Sequence, residues 1–259
     1  MTYAPIDLSA FPPEREEKLR SIKRYSMFKE MRYRSDVWSH ARRVFWLAET
    51  LLPLAQRYTP LDAEKVRTLA LVHDDAEMLT GDIQAGAKAR MTKAELKTIE
   101  ENEERAIQEL AKRYPTHVNN YEYVALLRHA LHKDCAEAHF VSVMDKLDAY
   151  GESMHEIYSG NMTLLGSLLF YTRMMSRYPY IYPELHDFLE AKEHPLIREL
   201  GPLPVDGRIG GAEFIHFGKP HTEETIRVET RFPFYDAWRE LVIQRGGDEG
   251  VAWLTSAEK

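Results

Sequence analysis

Apolar residues along the first 200 positions recur at helical spacing, and polar residues fill the intervals. A charged stretch with apolar residues spaced through it, 14–29, follows Pro12 and Pro13 and reads as a first helix. A second starts at Ser35 or Asp36, either suited to cap it, and carries Val37, His40, Val44, Leu47 and Leu51. It should end before Pro60. A third starts near Asp62, places Val66, Leu69, Ala70, His73 and Glu77 on one face, and stops at Gly81. The pattern then predicts helices over 92–113, 121–132, 134–158, 162–177 and 183–192. The long one, 134–158, contains Val141, Asp145 and Asp148.

The pattern changes after Gly201. A stretch rich in glycine and proline leads into 212–217 and 225–232, where polarity alternates. Ile226, Val228, Thr230 and Phe232 fall on one side, and Arg227, Glu229 and Arg231 on the other. Period two predicts a strand pair turning over 218–224, followed by a short helix over 235–244. The expectation is a helical domain over 1–200 with a small accessory element, a β-hairpin and helix, over 201–259. No internal repeat or low-complexity tract is visible.

Composition narrows the classes. Hydrophobic residues at 44 % and charged residues at 29 % suit a globular core. A net charge of −7, from 34 basic and 41 acidic side chains, argues against a broad nucleic-acid surface. A small phosphorylated ligand needs only local positive charge and stays open. The single cysteine, Cys135, allows no intramolecular disulfide and points to a reducing compartment. The N-terminus has no apolar signal-like stretch, and the uncharged run 157–172 is too short and too polar to span a bilayer. A cytoplasmic location is expected.

Candidate chemistry lies in His40, the pair His73-Asp74, and Asp145, each from a separate predicted helix and a face expected to be buried. A carboxylate on such a face is costly unless it is paired or bound to a metal. Two imidazoles and two carboxylates suit a hard or borderline divalent cation with positions left for water and substrate. The lack of a nearby Cys ligand argues against a structural zinc site. Singly these features are ordinary. A lone histidine on an apolar face is more often a core residue, an adjacent His-Asp pair is common by chance, and Asp145 has Lys146 beside it. The weight comes from their conjunction. Glu77 lies four residues after His73 and three after Asp74, which places it one helical turn along, where it can exchange a proton with water. Asp82 follows Gly81 at the helix end. Arg24 is a candidate phosphate clamp, with Arg32 and Arg34 as rivals and Lys88 and Arg90 as weaker candidates.

The order His, His-Asp, Asp, with intervals of 33 and 71 residues, resembles the signature of the HD-domain metal-dependent phosphohydrolase superfamily. Residues 71–82 are similar to the segment HD-x-x-E-x-x-x-G-D of the bacterial 5′-deoxynucleotidase (YfbR-like) family. Arg24-Tyr25, 16 residues before His40, resembles that family's Arg-Trp pair, with Tyr in place of Trp and a spacing about one residue longer. The resemblance covers roughly residues 15 to 160. It implies an all-α HD helical bundle and one divalent metal ion (Mn, Co or Mg, with Zn, Ni and Fe as further options). His40, His73, Asp74 and Asp145 would be its ligands. Glu77 and Asp82 would be catalytic, and Arg24, Tyr25 and Asp82 would contact substrate. It further implies a homodimer with a deoxynucleoside 5′-monophosphate as substrate. Alternatives are a dNTP triphosphohydrolase or other nucleotide phosphohydrolase, and a catalytically weak nucleotide-binding HD protein. His129, His132 and His139 offer ligands for a second ion, although the deoxynucleotidase resemblance favours one. Asp148, Glu152 and His155 are candidates to line the pocket, and the aromatic cluster Phe232, Phe234, Tyr235 and Trp238 reads as packing.

Overall fold

The computed structural model describes residues 3–198, 208–209, 212–213 and 233–255. The chain divides into two compact units, one of Met1–Met27 with Ser35–Asp145, the other of Phe28–Arg34 with Lys146–Lys259. Among the described residues the fold is all-α, and its strands form two short antiparallel pairs.

The first unit contains α1 (Glu14–Ser21), α2 (Val37–Ala55), α3 (Ala63–Val72), α4 (Glu77–Thr80), α5 (Ala85–Lys88), α6 (Lys93–Leu110), α7 (Tyr123–His132) and the start of α8 (Ala136–Tyr158). A two-residue pair, β1 (His117–Val118) with β2 (Tyr121–Glu122), precedes α7. Local signals set the helix starts. The Asp36 carboxylate accepts the Ser39 amide at 2.8 Å, and Asp62 accepts those of Glu64 and Lys65 at 3.1 Å. Thr92 and Glu95 form a reciprocal capping box on α6. The apolar stripes predicted for α2 and α3 become the core: Val37, Val44, Leu47, Leu51, Val66, Leu69 and Ala70 are fully buried. α2 packs on α3, and α7 on both α3 and α6.

Two expectations are corrected here. The predicted helix 14–29 ends at Ser21, because Ile22 turns extended, Lys23 bridges Asp36, and Arg24 N–H donates to the Ser35 carbonyl at 3.0 Å. Tertiary pairing overrides helical propensity in this stretch. The predicted helix from Asp62 to Gly81 breaks after Val72. Residues 73–76 form tight turns, with Asp75 N–H on Val72 O at 3.0 Å and Glu77 N–H on Asp74 O at 2.9 Å. α4 then runs to Gly81, whose φ of 74° ends it as expected and suits glycine alone.

The second unit contains the rest of α8, then α9 (Leu165–Met175), α10 (Tyr178–Ile181), α11 (His186–Ala191), α12 (Pro195–Arg198) and α13 (Pro233–Thr255). Segment 28–34 joins it through the Glu156 carboxylate, which accepts the Arg32 amide at 3.0 Å and the Tyr33 amide at 2.5 Å. Trp238 is fully buried and donates its indole N–H to Asp148 Oδ1 at 2.9 Å. Phe234 packs on Tyr150 with ring centroids 4.8 Å apart, and Tyr235 on Tyr158 at 4.6 Å, so these tail aromatics are packing residues. α13 outruns the predicted 235–244 helix, with a kink at Gly247 (φ 55°). β3 (Arg208–Ile209) pairs with β4 (Ala212–Glu213), so Ala212 meets a local partner within the predicted loop. Closing so short a loop costs little entropy. The expected strand 225–232, Phe232 included, and the turn 218–224 lie outside the described residues. No described helix is long and apolar enough to cross a membrane.

Candidate functional site

The break after α3 gives the site its shape. His73 occupies the C-cap position of α3 and Asp74 follows it into the turn. His40 comes from the second turn of α2, and Asp145 from α8. His40 Nε2 lies 3.5 Å from Asp74 Oδ2 and 3.3 Å from Asp145 Oδ1, while His73 Nε2 lies 3.2 Å from Asp74 Oδ2. The two imidazoles stand edge to face with centroids 5.5 Å apart. All four predicted ligands therefore meet in the first unit. The histidine side chains are buried and the carboxylates are 16–21 % exposed, leaving an approach from solvent.

These donors fit a divalent cation. Metal–ligand bonds of about 2.0–2.2 Å put adjacent ligand atoms about 3 Å apart. The 3.2–3.5 Å separations are close to that. His73 Nδ1 lies 2.9 Å from the Ala70 carbonyl, so the proton sits on Nδ1 and the Nε2 lone pair faces the carboxylates. That Nε2 is buried and makes no hydrogen bond. His40, His73 and Asp74 offer ligand atoms mutually within 4.8 Å. His40 is poised differently. Arg24 Nη1 donates to its Nδ1 at 2.8 Å, since a guanidinium has no acceptor. Coordination through Nε2 would need the proton on Nδ1, and Arg24 would then give up its contact with that nitrogen.

Electrostatics separate the carboxylates. Burial acts to raise the Asp74 pKa, but the neighbouring imidazoles of His73, 3.2 Å away, and His40 hold it well below the usual carboxylate range. Glu77 is pushed well above that range by burial and by the charges of Asp74 and Asp82, against the pull of Arg24 and Lys88. Asp82 is also raised, by burial first, with Arg24 opposing. One carboxylate is thus firmly anionic beside two that hold protons more readily, a division that suits proton transfer. Tyr25, at φ 57°, directs its amide to Asp82 Oδ2 at 3.3 Å. Its ring is 1 % exposed, with the Arg24 guanidinium 5.4 Å from its centroid. The Arg-Tyr pair therefore carries the guanidinium on an aromatic face and ties its backbone to Asp82.

Other candidates have partners of their own or belong to the second unit. Lys88 pairs with Glu103 at 2.8 Å while contributing positive potential at Glu77. Arg90 is exposed and donates to the Gly86 carbonyl. Arg32, Arg34, Asp148, Glu152 and His155 belong to the second unit, where His155 Nδ1 contacts the Tyr235 hydroxyl at 2.7 Å. His129 pairs with Asp134, His132 with Glu100, and His139 with the Lys133 carbonyl. Sequence reading missed a neighbouring network: Asp75, next to the paired ligands, is buried against Arg15 and Tyr123. Only its adjacency to Asp74 marked it in the sequence.

Comparison with known proteins gives one family match and likenesses in fold. The family model described as 5′-deoxynucleotidase YfbR-like matches residues 16–191. A conserved hypothetical protein from Pyrococcus furiosus is similar in structure, with TM-score 0.55 and 20 % identity over 72 % of this chain and 95 % of that one. An HD-domain phosphohydrolase from Listeria innocua is similar with TM-score 0.50 and 19 % identity over 73 % of this chain and 95 % of that one. These two likenesses concern the fold. No curated protein matches the sequence.

Proposed function

The chain belongs to the YfbR-like 5′-deoxynucleotidase family and is a metal-dependent phosphohydrolase; from that premise we propose that it hydrolyses deoxynucleoside 5′-monophosphates to deoxynucleoside and phosphate. The observation that carries this reading is the convergence of two histidines, two carboxylates, Glu77 with its raised pKa, and Arg24 in one unit.

In this reading His40, His73, Asp74 and Asp145 hold one divalent cation. When bound, it draws charge from a phosphoryl oxygen and eases deprotonation of water. The chain's own groups do the rest. Glu77 accepts the proton of the attacking water, for which a raised pKa makes it a stronger base. Asp82, anchored by the Tyr25 amide, orients the water or the sugar. Arg24, once released from His40 Nδ1, turns its fork to the phosphate oxygens. The P–O5′ bond breaks as the water oxygen bonds to phosphorus, and the departing oxygen takes up a proton from solvent, to which Glu77 returns the one it accepted. Tyr25 acts by supporting Arg24. The reading extends to a cytoplasmic homodimer, and a monomer mass in sedimentation equilibrium would remove the dimer.

The test is phosphate release from ribo- and deoxynucleoside 5′-monophosphates and dNTPs. Chelated enzyme is resupplied with Mn²⁺, Co²⁺ or Mg²⁺ in turn, with Asp74→Ala as control. Release from the deoxy monophosphates, dependent on metal and lost in the control, supports the proposal. Turnover of dNTPs alone moves the assignment to triphosphate cleavage. Tight nucleotide binding with no turnover under any metal moves it to a binding role.

A further inference from the structure

Three side chains distant in sequence meet beside the metal ligands without touching them. Arg15 on α1 forms a two-point pair with Asp75, Nε to Oδ2 at 2.9 Å and Nη2 to Oδ1 at 2.7 Å. Tyr123, at the start of α7, donates its hydroxyl to Asp75 Oδ2 at 2.6 Å. Arg15 and Asp75 are 1–2 % exposed and Tyr123 is fully buried. Phe11 closes one side, its ring centroid 4.4 Å from the guanidinium carbon and 5.3 Å from the Tyr123 ring.

Arg15 Nη2 also donates to the Leu71 carbonyl at 2.8 Å. In an unbroken α-helix that carbonyl would accept the Asp75 amide, four residues on. Here the Asp75 amide goes to Val72 instead. One guanidinium therefore takes the carbonyl two residues before His73 and the carboxylate one residue after Asp74, and so stands in for the helical bond that the turn gives up.

We infer that Arg15, Asp75 and Tyr123 are positioning residues, a buried clamp that holds open the break between α3 and α4 and thereby sets the aim of His73, Asp74 and Glu77. The inference rests on the reading of His73 and Asp74 as metal ligands. A buried ion pair is a poor way to gain stability, because apolar residues of similar volume do as well. What apolar residues cannot do is occupy the Leu71 carbonyl and fix the Asp75 side chain together. The clamp therefore serves geometry, and stability and positioning can be separated.

The experiment compares metal-stripped wild type, the double variant Arg15→Met/Asp75→Asn, and Tyr123→Phe, with Asp74→Ala as the ligand control. Each is followed by thermal unfolding and by calorimetric titration with Mn²⁺. Removing both charges avoids a lone buried ion, so the double variant should unfold near the wild-type temperature. Its Mn²⁺ affinity should fall about tenfold or more, the scale seen when groups supporting metal ligands are lost. Tyr123→Phe keeps the ion pair and should lose a few-fold. Lowered melting temperatures with wild-type Mn²⁺ affinity in both variants would overturn the clamp and leave a purely structural network. If the double variant does not fold, unchanged affinity in Tyr123→Phe overturns it alone. Wild type that binds no more Mn²⁺ than Asp74→Ala would instead bring down the ligand reading, and the inference with it.

Discussion

Glu77 and Asp74 sit three residues apart, yet their surroundings drive them in opposite directions. The raised Glu77 holds its proton more tightly folded than unfolded, so its ionisation costs stability as pH climbs from about 4.3, the unfolded value, to the folded one. Asp74 does the reverse, contributing stability that is lost only as pH falls through its depressed folded value. In metal-free protein, Glu77→Gln should therefore raise the melting temperature at about pH 7, and the gain should shrink toward about pH 4.3. A gain independent of pH would discard this account of Glu77. With cation present, the same variant should lose about 10²–10⁴-fold in turnover. Its calorimetric metal affinity should persist, and near-normal turnover would remove Glu77 from the chemistry. His40, His73, Asp74 and Asp145 stood out in sequence as proposed ligands because ligand chemistry restricts residue type and their order is distinctive, and the structure brings them together. Asp75 was not legible, because its partners Arg15 and Tyr123 lie 60 and 48 residues away and no local pattern announces them.

The helices of the first unit start where short-range chemistry says they should. Asp36, Asp62 and Thr92 each satisfy amide donors of the turn they open, and such bonds need no knowledge of the rest of the chain. Asp36→Ala should cost about 1 kcal/mol by removing the α2 cap, read as a lower midpoint in urea. An unchanged midpoint would show that the cap contributes nothing net. Helix ends were less legible. α1 stops at Ser21 through pairing with 35–37, and α3 stops at Val72 where Arg15 takes the Leu71 carbonyl, so distant residues decide both. In the second unit α8 and α13 approach closely at Gly151, where an added Cβ would collide with the Trp238 indole. Gly151→Ala should destabilise by about 1–3 kcal/mol through overpacking. Wild-type thermal stability would mean the indole shifts freely.

At the scale of the whole molecule, the first unit gathers residues 24, 40, 73–82 and 145 around one small volume. A cation that binds only this assembled arrangement stabilises it by mass action, about 2.7 kcal/mol at a hundredfold excess over its dissociation constant. Adding Mn²⁺ to chelated protein should raise the melting temperature, and Asp74→Ala should abolish the rise. A rise of equal size in that variant would place the binding elsewhere. The sequence by itself determined the helical class, the helix starts and the apolar stripes, and marked the candidate ligands, because periodicity, caps and coordination chemistry are written in neighbouring residues. Tertiary structure alone decided where α1 and α3 break, how Arg24 comes to donate to His40, and how the burial of Glu77 divides the carboxylates. Those outcomes depend on which distant groups are brought together where water is partly excluded, so that a single charge or hydrogen bond outweighs local helical preference.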